Sequence, residues 1–264
     1  MRMFRMPEIP LRRWVCGVMG CLLMLHARQA AAADTNTASG WVTNEFEQAA
    51  AKFHAETNSA DAAWQFARAC FDMADLQKRS SQEAAYAEEG MAASRVAVEL
   101  APNSAPAHYY LGMNIAELAS TKHSLSALRM VKDVEREFQA ARLLDEKFDE
   151  AGADRNLGTL YRDAPAFVSV GSRAKARQHL ERAVELAPGY PDNHITLIEG
   201  YLKWDYRNEA LRQLHELEQI LPDARKKFSG PAHALDWEDW DKRLNIIKRK
   251  LEGNSKVNES PHSQ

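Results

Sequence analysis

Two identical pentapeptides constrain this chain more than any other feature of its sequence. Val98–Pro102 and Val184–Pro188 both read Val-Glu-Leu-Ala-Pro, and weaker copies occupy Arg142–Glu146 and Gln219–Pro222. The last residues of successive copies are 44, 42 and 34 residues apart. Self-similarity with a period of about 20–50 residues is typical of proteins that stack one small structural unit many times. The chain is therefore predicted to form a solenoid.

Each unit carries two apolar stripes with helical spacing. The last unit places Leu197 and Tyr201 on one helix face, then Ala210, Leu214 and Leu217 on another. Spacings of three and four residues bring side chains to one side of an α-helix, and the proline that ends three of the four copies is expected to stop a helix. The 34-residue spacing is the tetratricopeptide period. We predict an all-α, tetratricopeptide-like helical-hairpin solenoid of about four degenerate repeats with capping helices, the repeats spanning residues 58–222.

Both ends of the solenoid are predicted to be capped. Residues 34–57 read as a flexible lead-in, Asp34–Gly40, followed by an amphipathic N-terminal helix. Residues 223–252 read as a C-terminal capping helix whose apolar stripe includes Trp240 and Leu244. Terminal caps are needed because an end repeat would otherwise expose its apolar face. The polar residues 253–264 are expected to be disordered.

The first 33 residues are interpreted as a secretory signal peptide. Four arginines precede an apolar run that is shorter than a membrane-spanning helix, and Ala31 and Ala33 fit a cleavage site. The expected location is exported and periplasmic, with no stable membrane span after cleavage. Two alternatives are an uncleaved anchor and a lipoprotein modified at Cys21. Without this segment 29 basic and 36 acidic residues remain, a net charge of −7, which disfavours a nucleic-acid partner.

Three units exceed the 34-residue period, and their extra residues are expected between the first and second helices. These segments are Leu76–Ser81, Ser120–Met130 and Arg162–Ser172. Pro165 and Gly171 punctuate the third segment, as in a loop. Insertions in a solenoid collect on one face, which is often the binding face.

No motif of a known catalytic or metal site occurs in the sequence. Phosphate-binding glycine loops, nucleophile elbows and paired zinc-binding histidines are all missing. His108 and His194 occupy equivalent repeat positions, which structural repetition explains better than a paired site. Cys70 lies in an apolar stretch and reads as a core residue. We therefore expect no enzyme activity, no cofactor and no metal.

Several polar and aromatic residues lie on otherwise apolar helices and are the candidates for a binding surface. Asn193 has a second interpretation, in which its amide closes the loop before its helix. Aromatic residues in turn anchor interfaces as well as cores. The candidate partner- or ligand-binding residues are Tyr110, Asn114, Arg155, Tyr161, Pro165, Phe167, Arg173, Arg177 and Asn193.

Three stretches of the chain resemble the TRAP-transporter T-component family of periplasmic repeat proteins. They are His108–Asn114, Arg155–Pro165, and Gly171–Arg177 continuing through Leu186–His194. The resemblance covers about residues 60–222. It implies an exported helical-repeat protein that associates with the solute-binding protein of a TRAP transporter. Some family members form trimers, so a homo-oligomer is compatible, and some have a pore through the fold.

The function expected from the sequence is a non-enzymatic exported scaffold that mediates protein–protein interaction. The partner implied by the resemblance is an extracytoplasmic solute-binding protein of a TRAP-type transporter. The alternative is that a small apolar or amphipathic ligand binds in a channel through the repeats.

Overall fold

The computed structural model describes residues 37–122 and 124–253, with the side chains of residues 124 and 253 excepted. Within these ranges the chain forms ten α-helices and one 3₁₀ turn, and no strand. In chain order they are α1 (Ala38–Ala55), α2 (Ala60–Asp75), α3 (Ser80–Leu100), α4 (Ala105–Ser120), α5 (Ser124–Leu144), α6 (Phe148–Asp163), α7 (Arg173–Leu186), α8 (Pro191–Lys203), α9 (Arg207–Lys227), the 3₁₀ turn (Pro231–His233) and α10 (Ala234–Gly253).

The helices form four consecutive hairpins. Helices α2 and α3 pack together, as do α4 with α5, α6 with α7, and α8 with α9, and each hairpin also contacts the next. Helix α1 covers α2 at one end, while α10 packs on α8 at the other. This arrangement confirms the predicted all-α helical-hairpin solenoid.

The sequence starts several of these helices with hydroxyl caps. The side chains of Ser59, Ser104 and Ser172 accept hydrogen bonds from backbone N–H groups in the first turns of α2, α4 and α7. Such caps satisfy donors that have no partner inside the helix. Each helix therefore begins at a defined residue, which sets the length of the preceding turn.

The repeated pentapeptide is tied to the next helix by a repeated hydrogen bond. His108 Nε2 lies 3.0 Å from the carbonyl oxygen of Pro102, and His194 Nε2 lies 2.7 Å from that of Pro188. Each histidine sits six residues after its proline, on the first helix of the following hairpin. The equivalent positions of the two histidines thus hold the turn between hairpins, as structural repetition predicts.

Small residues bring the two helices of a hairpin close together. An added Cβ on Gly112 would lie 2.8 Å from the Phe138 ring, and one on Gly158 would lie 2.5 Å from the Leu180 side chain. Phe138 and Leu180 are buried at 2% and 0% exposure. The core therefore needs glycine at these two positions, where a large side chain of the second helix crosses the first.

The extra residues of the longer units lie mainly in helices. Helices α3 and α5 each have 21 residues. The expected insertion at Leu76–Ser81 lies mostly in the turn of residues 76–79 between α2 and α3, whereas most of Ser120–Met130 belongs to α5, so the second expectation is mostly wrong. Only the third segment contains an extended loop, residues 164–172. Helix α3 instead carries its added length as regular helix that packs on α2 and α4.

Two expected boundaries also differ. Pro222 lies inside α9, which continues to Lys227. After this proline the chain buries Ala224, and then Phe228 just past the end of the helix. This burial compensates for the backbone donor that proline lacks. The lead-in is shorter than expected, since α1 begins at Ala38. Residues 1–33 and 254–264, which carry the signal-peptide and tail predictions, lie outside the described residues.

The C-terminal cap touches both ends of the repeat array. Trp240, Leu244, Ile247 and Leu251 are buried along one side of α10, and that helix packs on α8. The 3₁₀ turn before it packs against α1.

Cys70 on α2 is fully buried, and burial raises the pKa of its thiol. No helix within the described ranges has the length and apolarity needed to cross a membrane.

The close helix contact at Gly158 can be tested by Gly158→Ala. We expect destabilisation of about 1–3 kcal/mol, because the new methyl group meets the Leu180 side chain and lies 3.1 Å from the Leu180 backbone nitrogen. Gly189→Ala is the control, since nothing lies within 4 Å of its added Cβ, and a change within about 0.5 kcal/mol is expected. Urea unfolding measures both, and equal effects would contradict the packing argument.

Candidate functional site

A central groove runs along the first helices of the hairpins. Helices α1, α2, α4 and α6, the start of α8 and the C-terminal cap all contribute side chains to it, and it encloses about 460 Å³. Six aromatic residues line it: Trp41, Phe71, Tyr109, Tyr110, Tyr190 and Trp240. Six aspartates do so as well: Asp72, Asp75, Asp149, Asp192, Asp236 and Asp239. The first helix of each hairpin therefore builds one continuous concave surface.

The aromatic side chains of the groove pack against one another. The rings of Tyr109 and Tyr110 meet edge to face, with centroids 5.2 Å apart, and Trp64 stacks on Tyr110 from outside the groove. At the far side Tyr190 meets Trp240 of the cap, also at 5.2 Å. Edge-to-face contacts of this kind stabilise aromatic clusters. The walls of the groove are consequently well packed, with polar groups set between rigid rings.

The base of the groove contains an unusual backbone segment. Asp149, Glu150 and Ala151 have φ angles of 54°, 52° and 63°, so three successive non-glycine residues adopt the left-handed conformation. This conformation costs roughly 1–2 kcal/mol per residue. The carbonyl oxygen of Glu150 accepts hydrogen bonds from Arg155 and Asn193. These buried side chains therefore hold the strained turn in place.

Arg155 is the central ion of the groove. It is 7% exposed, and its guanidinium lies 3.1 Å from both the Asp149 and the Asp192 carboxylates and 3.0 Å from Asn193 Oδ1. Its charge also sits over the ring of Tyr190, 5.0 Å from the centroid. Burial opposes its charge, but the surrounding tyrosines and aspartates raise the pKa of Arg155 overall. The guanidinium therefore stays charged and joins α6 to the start of α8.

Asp149 and Asp192 extend this network in two directions. The Tyr109 hydroxyl donates to Asp149 Oδ2 at 2.5 Å, and burial together with that carboxylate raises the pKa of Tyr109. On the other side Arg243 of α10 donates to Asp192 at 2.6 Å and to both Glu199 oxygens. The cap is thus fastened to α8 by ion pairs as well as by its apolar stripe.

Four aspartates remain at the mouth of the groove, two on each side. Asp72 and Asp75 come from the end of α2, and Asp236 and Asp239 from the start of α10. Burial raises the pKa of Asp72 to about 7, although Arg68 opposes the shift. Burial and then Asp239 and Asp236 raise the pKa of Asp75. The two pairs therefore repel each other across the mouth.

The nine residues predicted from the sequence fall in different places. Tyr110 and Arg155 line the groove, and Asn193 contacts Arg155 directly behind it. Asn193 also donates to the carbonyl oxygens of Ala183 and Ala187, the loop-closing contact considered for it. Asn114 and Tyr161 are buried between helices. The Asn114 amide donates to Ala67 and Tyr110 carbonyls, while the Tyr161 hydroxyl donates to Glu135.

The other four predicted residues lie on the outer surface. Pro165 and Phe167 belong to the loop of residues 164–172, where Phe167 is fully exposed and Val168 is 71% exposed. Gly171 lets this loop fold back, because an added Cβ would lie 2.0 Å from the carbonyl oxygen of Ala164. Arg173 and Arg177 follow on α7 and are also exposed. The structure therefore separates a groove set from a loop set.

None of the six groove aspartates is among the nine site residues predicted from the sequence. The acidic run from Asp236 to Asp241 has an ordinary explanation as helix N-terminal charge favoured by the macrodipole. Asp72 and Asp75 show nothing unusual along α2. The sequence signal that could have revealed the groove was the recurrence of an acidic or aromatic residue on the first helix of each hairpin. Within the described ranges, no three His, Cys, Asp or Glu side chains are placed so that together they could hold a metal ion.

Arg155→Met tests the central ion pair. We expect a loss of about 3–5 kcal/mol in the free energy of unfolding, because removal of the guanidinium leaves Asp149 and Asp192 without their partner in a buried site. Arg173→Met, on the exposed start of α7, is the control and should change stability by at most about 0.5 kcal/mol. Chemical denaturation followed by circular dichroism checks the pair. A small effect of Arg155→Met would show that the network does not support the fold.

The raised pKa of Asp72 predicts a pH dependence of stability. Its folded pKa of about 7 exceeds the ordinary aspartate value of 3.8, so the folded chain binds this proton more tightly and stability falls as pH rises from about 4 to about 7. Asp72→Asn should flatten that slope and stabilise the protein by about 1 kcal/mol at pH 8, after allowance for partial exposure. Unfolding curves at pH 5, 6.5 and 8 measure this. The exposed Asp223→Asn is the control, and parallel slopes for Asp72→Asn and the wild type would refute the prediction.

Comparisons with known proteins show the fold and leave the family open. A family model described as "Regulator of microtubule dynamics protein 1-3" matches residues 29–150, fewer than half of the chain. No curated protein matches the chain. This family differs from the TRAP T-component family, so membership of the latter stays a prediction.

Solved structures of repeat proteins are similar to this chain. TTC0263, a thermophilic tetratricopeptide-repeat protein of Thermus thermophilus, is 18% identical, with 75% of this chain and 90% of that chain covered and a TM-score of 0.53. The structure of MamA is 17% identical, with 71% of this chain and 93% of that chain covered and a TM-score of 0.47. The likeness to TTC0263 shows a tetratricopeptide-like fold.

Proposed function

We propose that this protein is an exported, non-enzymatic scaffold that docks a partner protein through its central groove and the loop of residues 164–172. The observation that carries the proposal is the groove itself, to which the first helices of three hairpins, the start of the fourth and both end caps contribute. A surface collected from every repeat suits an elongated partner rather than a single reacting group. The segment of residues 1–33 supports export through its signal-like sequence.

The exposed loop supports a second contact with the same partner. Phe167 and Val168 face solvent, although large apolar side chains gain free energy by leaving water. Aromatic residues at such positions are frequent anchors of protein interfaces. The exposed cation Arg173 follows directly on α7 and adds charge to this surface. The partner implied by the sequence resemblance is the solute-binding protein of a TRAP-type transporter.

The loop contact is tested by substitution and capture. The full chain is used to capture a purified TRAP solute-binding protein of the same organism, with Phe167→Ser plus Val168→Ser as one variant and Arg173→Glu plus Arg177→Glu as another. We expect each variant to lower recovery about tenfold, because an anchor or a charge is lost. Leu143→Ser is the control, since Leu143 is 77% exposed on α5.

The outcomes separate the parts of this proposal. Unchanged recovery by both loop variants would remove the loop from the interface. Failure of the wild-type chain to bind any solute-binding protein would reject the transporter partner. Loss of recovery by Leu143→Ser as well would show that capture reflects general stickiness. Light scattering of the wild-type chain reports at the same time whether a homo-oligomer forms.

The alternative function is binding of a small amphipathic ligand in the groove. The observation that favours it is the closure of the groove by the cap, which leaves about 460 Å³ between aromatic walls, a volume typical of ligand pockets. A purely apolar ligand fits poorly, because it would bury aspartates without partners. Native mass spectrometry of the chain purified from its own host tests this, and an unliganded mass would count against it.

A further inference from the structure

The charges of the central groove are unevenly matched. Asp149 and Asp192, at its base, both contact Arg155, and Asp192 also receives Arg243. At the mouth Asp72 pairs with Arg68 at 3.7 Å, and the Arg68 side chain is half-exposed. Asp239 shares Arg243 with two other carboxylates. The base is therefore neutralised internally, whereas the mouth keeps an excess of negative charge.

The acidic character of the mouth continues along the neighbouring surface. The charge of Glu83 on α3 contributes to the raised pKa of Asp75. Burial, together with Glu83 and Asp75, raises the pKa of Glu117 on α4 to about 7. Carboxylates from α2, α3, α4 and α10 thus influence one another beside the groove. The lining itself draws side chains from several helices, an extent that fits an extended chain better than a compact small molecule.

The groove also shows how it holds a cation. Its own Arg155 is seated between two carboxylates with its guanidinium over the face of Tyr190. Aromatic faces attract guanidinium and ammonium groups, most strongly where water is partly excluded. The base of the groove therefore combines two carboxylates with one aromatic face around a single positive charge.

The mouth repeats these components with fewer cations of its own. Asp72 and Asp75 share this part of the groove with the rings of Trp41 and Phe71, and Asp236 and Asp239 share theirs with Trp240. Among the groove-lining residues in the described ranges, Arg155 and Arg68 are the arginines and no lysine occurs. The other basic side chain is His233, whose Nδ1 lies 2.9 Å from Asp236. Arg243, which is not part of the lining, reaches Asp239 at 3.1 Å and is shared with Asp192 and Glu199. Four carboxylates thus face two arginines and one histidine.

We propose that the mouth of the central groove binds an extended basic segment of the partner protein, with an arginine or lysine side chain between the Asp72–Asp75 pair and the Asp236–Asp239 pair. This inference rests on the proposed function and specifies the chemistry of the partner. The incoming cation relieves the repulsion between the two aspartate pairs, and its aliphatic stem packs on the aromatic walls. Binding also draws α2 and α10 together, because each supplies half of the site.

A peptide selection tests the charge preference whatever the identity of the partner. Random nonapeptides are displayed and selected against the full chain, and arginine or lysine is expected to be enriched at one or more positions. The best peptide is then synthesised with a fluorescent label, together with a version in which citrulline, a neutral analogue, replaces each arginine and norleucine each lysine. We expect the neutral version to bind at least tenfold more weakly. Selection of acidic or uncharged peptides, or of none, would overturn the proposal.

Variants locate the binding site. Asp72→Asn plus Asp75→Asn, and separately Asp236→Asn plus Asp239→Asn, should each raise the Kd of the selected peptide at least tenfold. Asp223→Asn plus Asp241→Asn removes the same number of charges outside the groove and should leave the Kd within about twofold, because screening weakens distant charges. Equal affinities for all three variants would place the peptide elsewhere and reject the site.

The chain itself offers one competing occupant. Residues 1–36 contain Arg2, Arg5, Arg12, Arg13 and Arg28, and they precede the groove residue Trp41. Replacement of these five arginines by glutamine in the full chain distinguishes the two cases. Unchanged peptide affinity supports a partner segment, whereas affinity raised several-fold shows that the N-terminal segment fills the groove and overturns the assignment to a partner.

The inference and the proposed function fail in different ways. If capture of a solute-binding protein depends on Phe167 while no basic peptide is selected, the scaffold function stands and the basic-segment inference is wrong. If basic peptides bind the groove but no protein partner is captured, the groove chemistry is correct and the transporter scaffold is rejected.

Discussion

The buried charge of Arg155 is the interaction on which the centre of this fold depends. A guanidinium taken out of water costs several kcal/mol unless carboxylates and hydrogen bonds compensate it. Here Asp149 comes from a left-handed turn and Asp192 from the next hairpin, so the compensation requires both elements in place. The same arginine bonds the carbonyl oxygens that the left-handed turn presents. One side chain therefore stabilises a strained segment, a hairpin junction and the base of the groove.

The repeat architecture could be predicted because it is written in local sequence. Leu197 with Tyr201, and Ala210 with Leu217, share helix faces through spacing alone, and burial of all four follows. The histidine contacts to the prolines of the two pentapeptides repeat because the same hairpin junction is built twice. Where the prediction was wrong, as at Pro222, the local rule was outweighed by burial of residues further along the helix.

The groove was harder to predict because its members are distant in sequence. Asp72 and Asp236 are 164 residues apart, and only the return of the cap to the first helices brings them to one opening. The left-handed turn at Asp149 contains neither glycine nor asparagine, so no residue type marks it. Arg155 and Asn193 did stand out as polar residues among apolar neighbours. The reason for their position became visible only with the turn that they hold.

The contact between the 3₁₀ turn and α1 changes what kind of solenoid this is. An open array of hairpins is flexible along its length, so it can extend or curve around a bound partner while each repeat moves only slightly. In this chain the 3₁₀ turn that precedes the last helix contacts the first helix, so the two ends of the array are joined. If one hairpin changes its curvature, either the other hairpins must change theirs or the contact between the 3₁₀ turn and α1 must break. The contact between the 3₁₀ turn and α1 is consequently the one that would separate if the array widened.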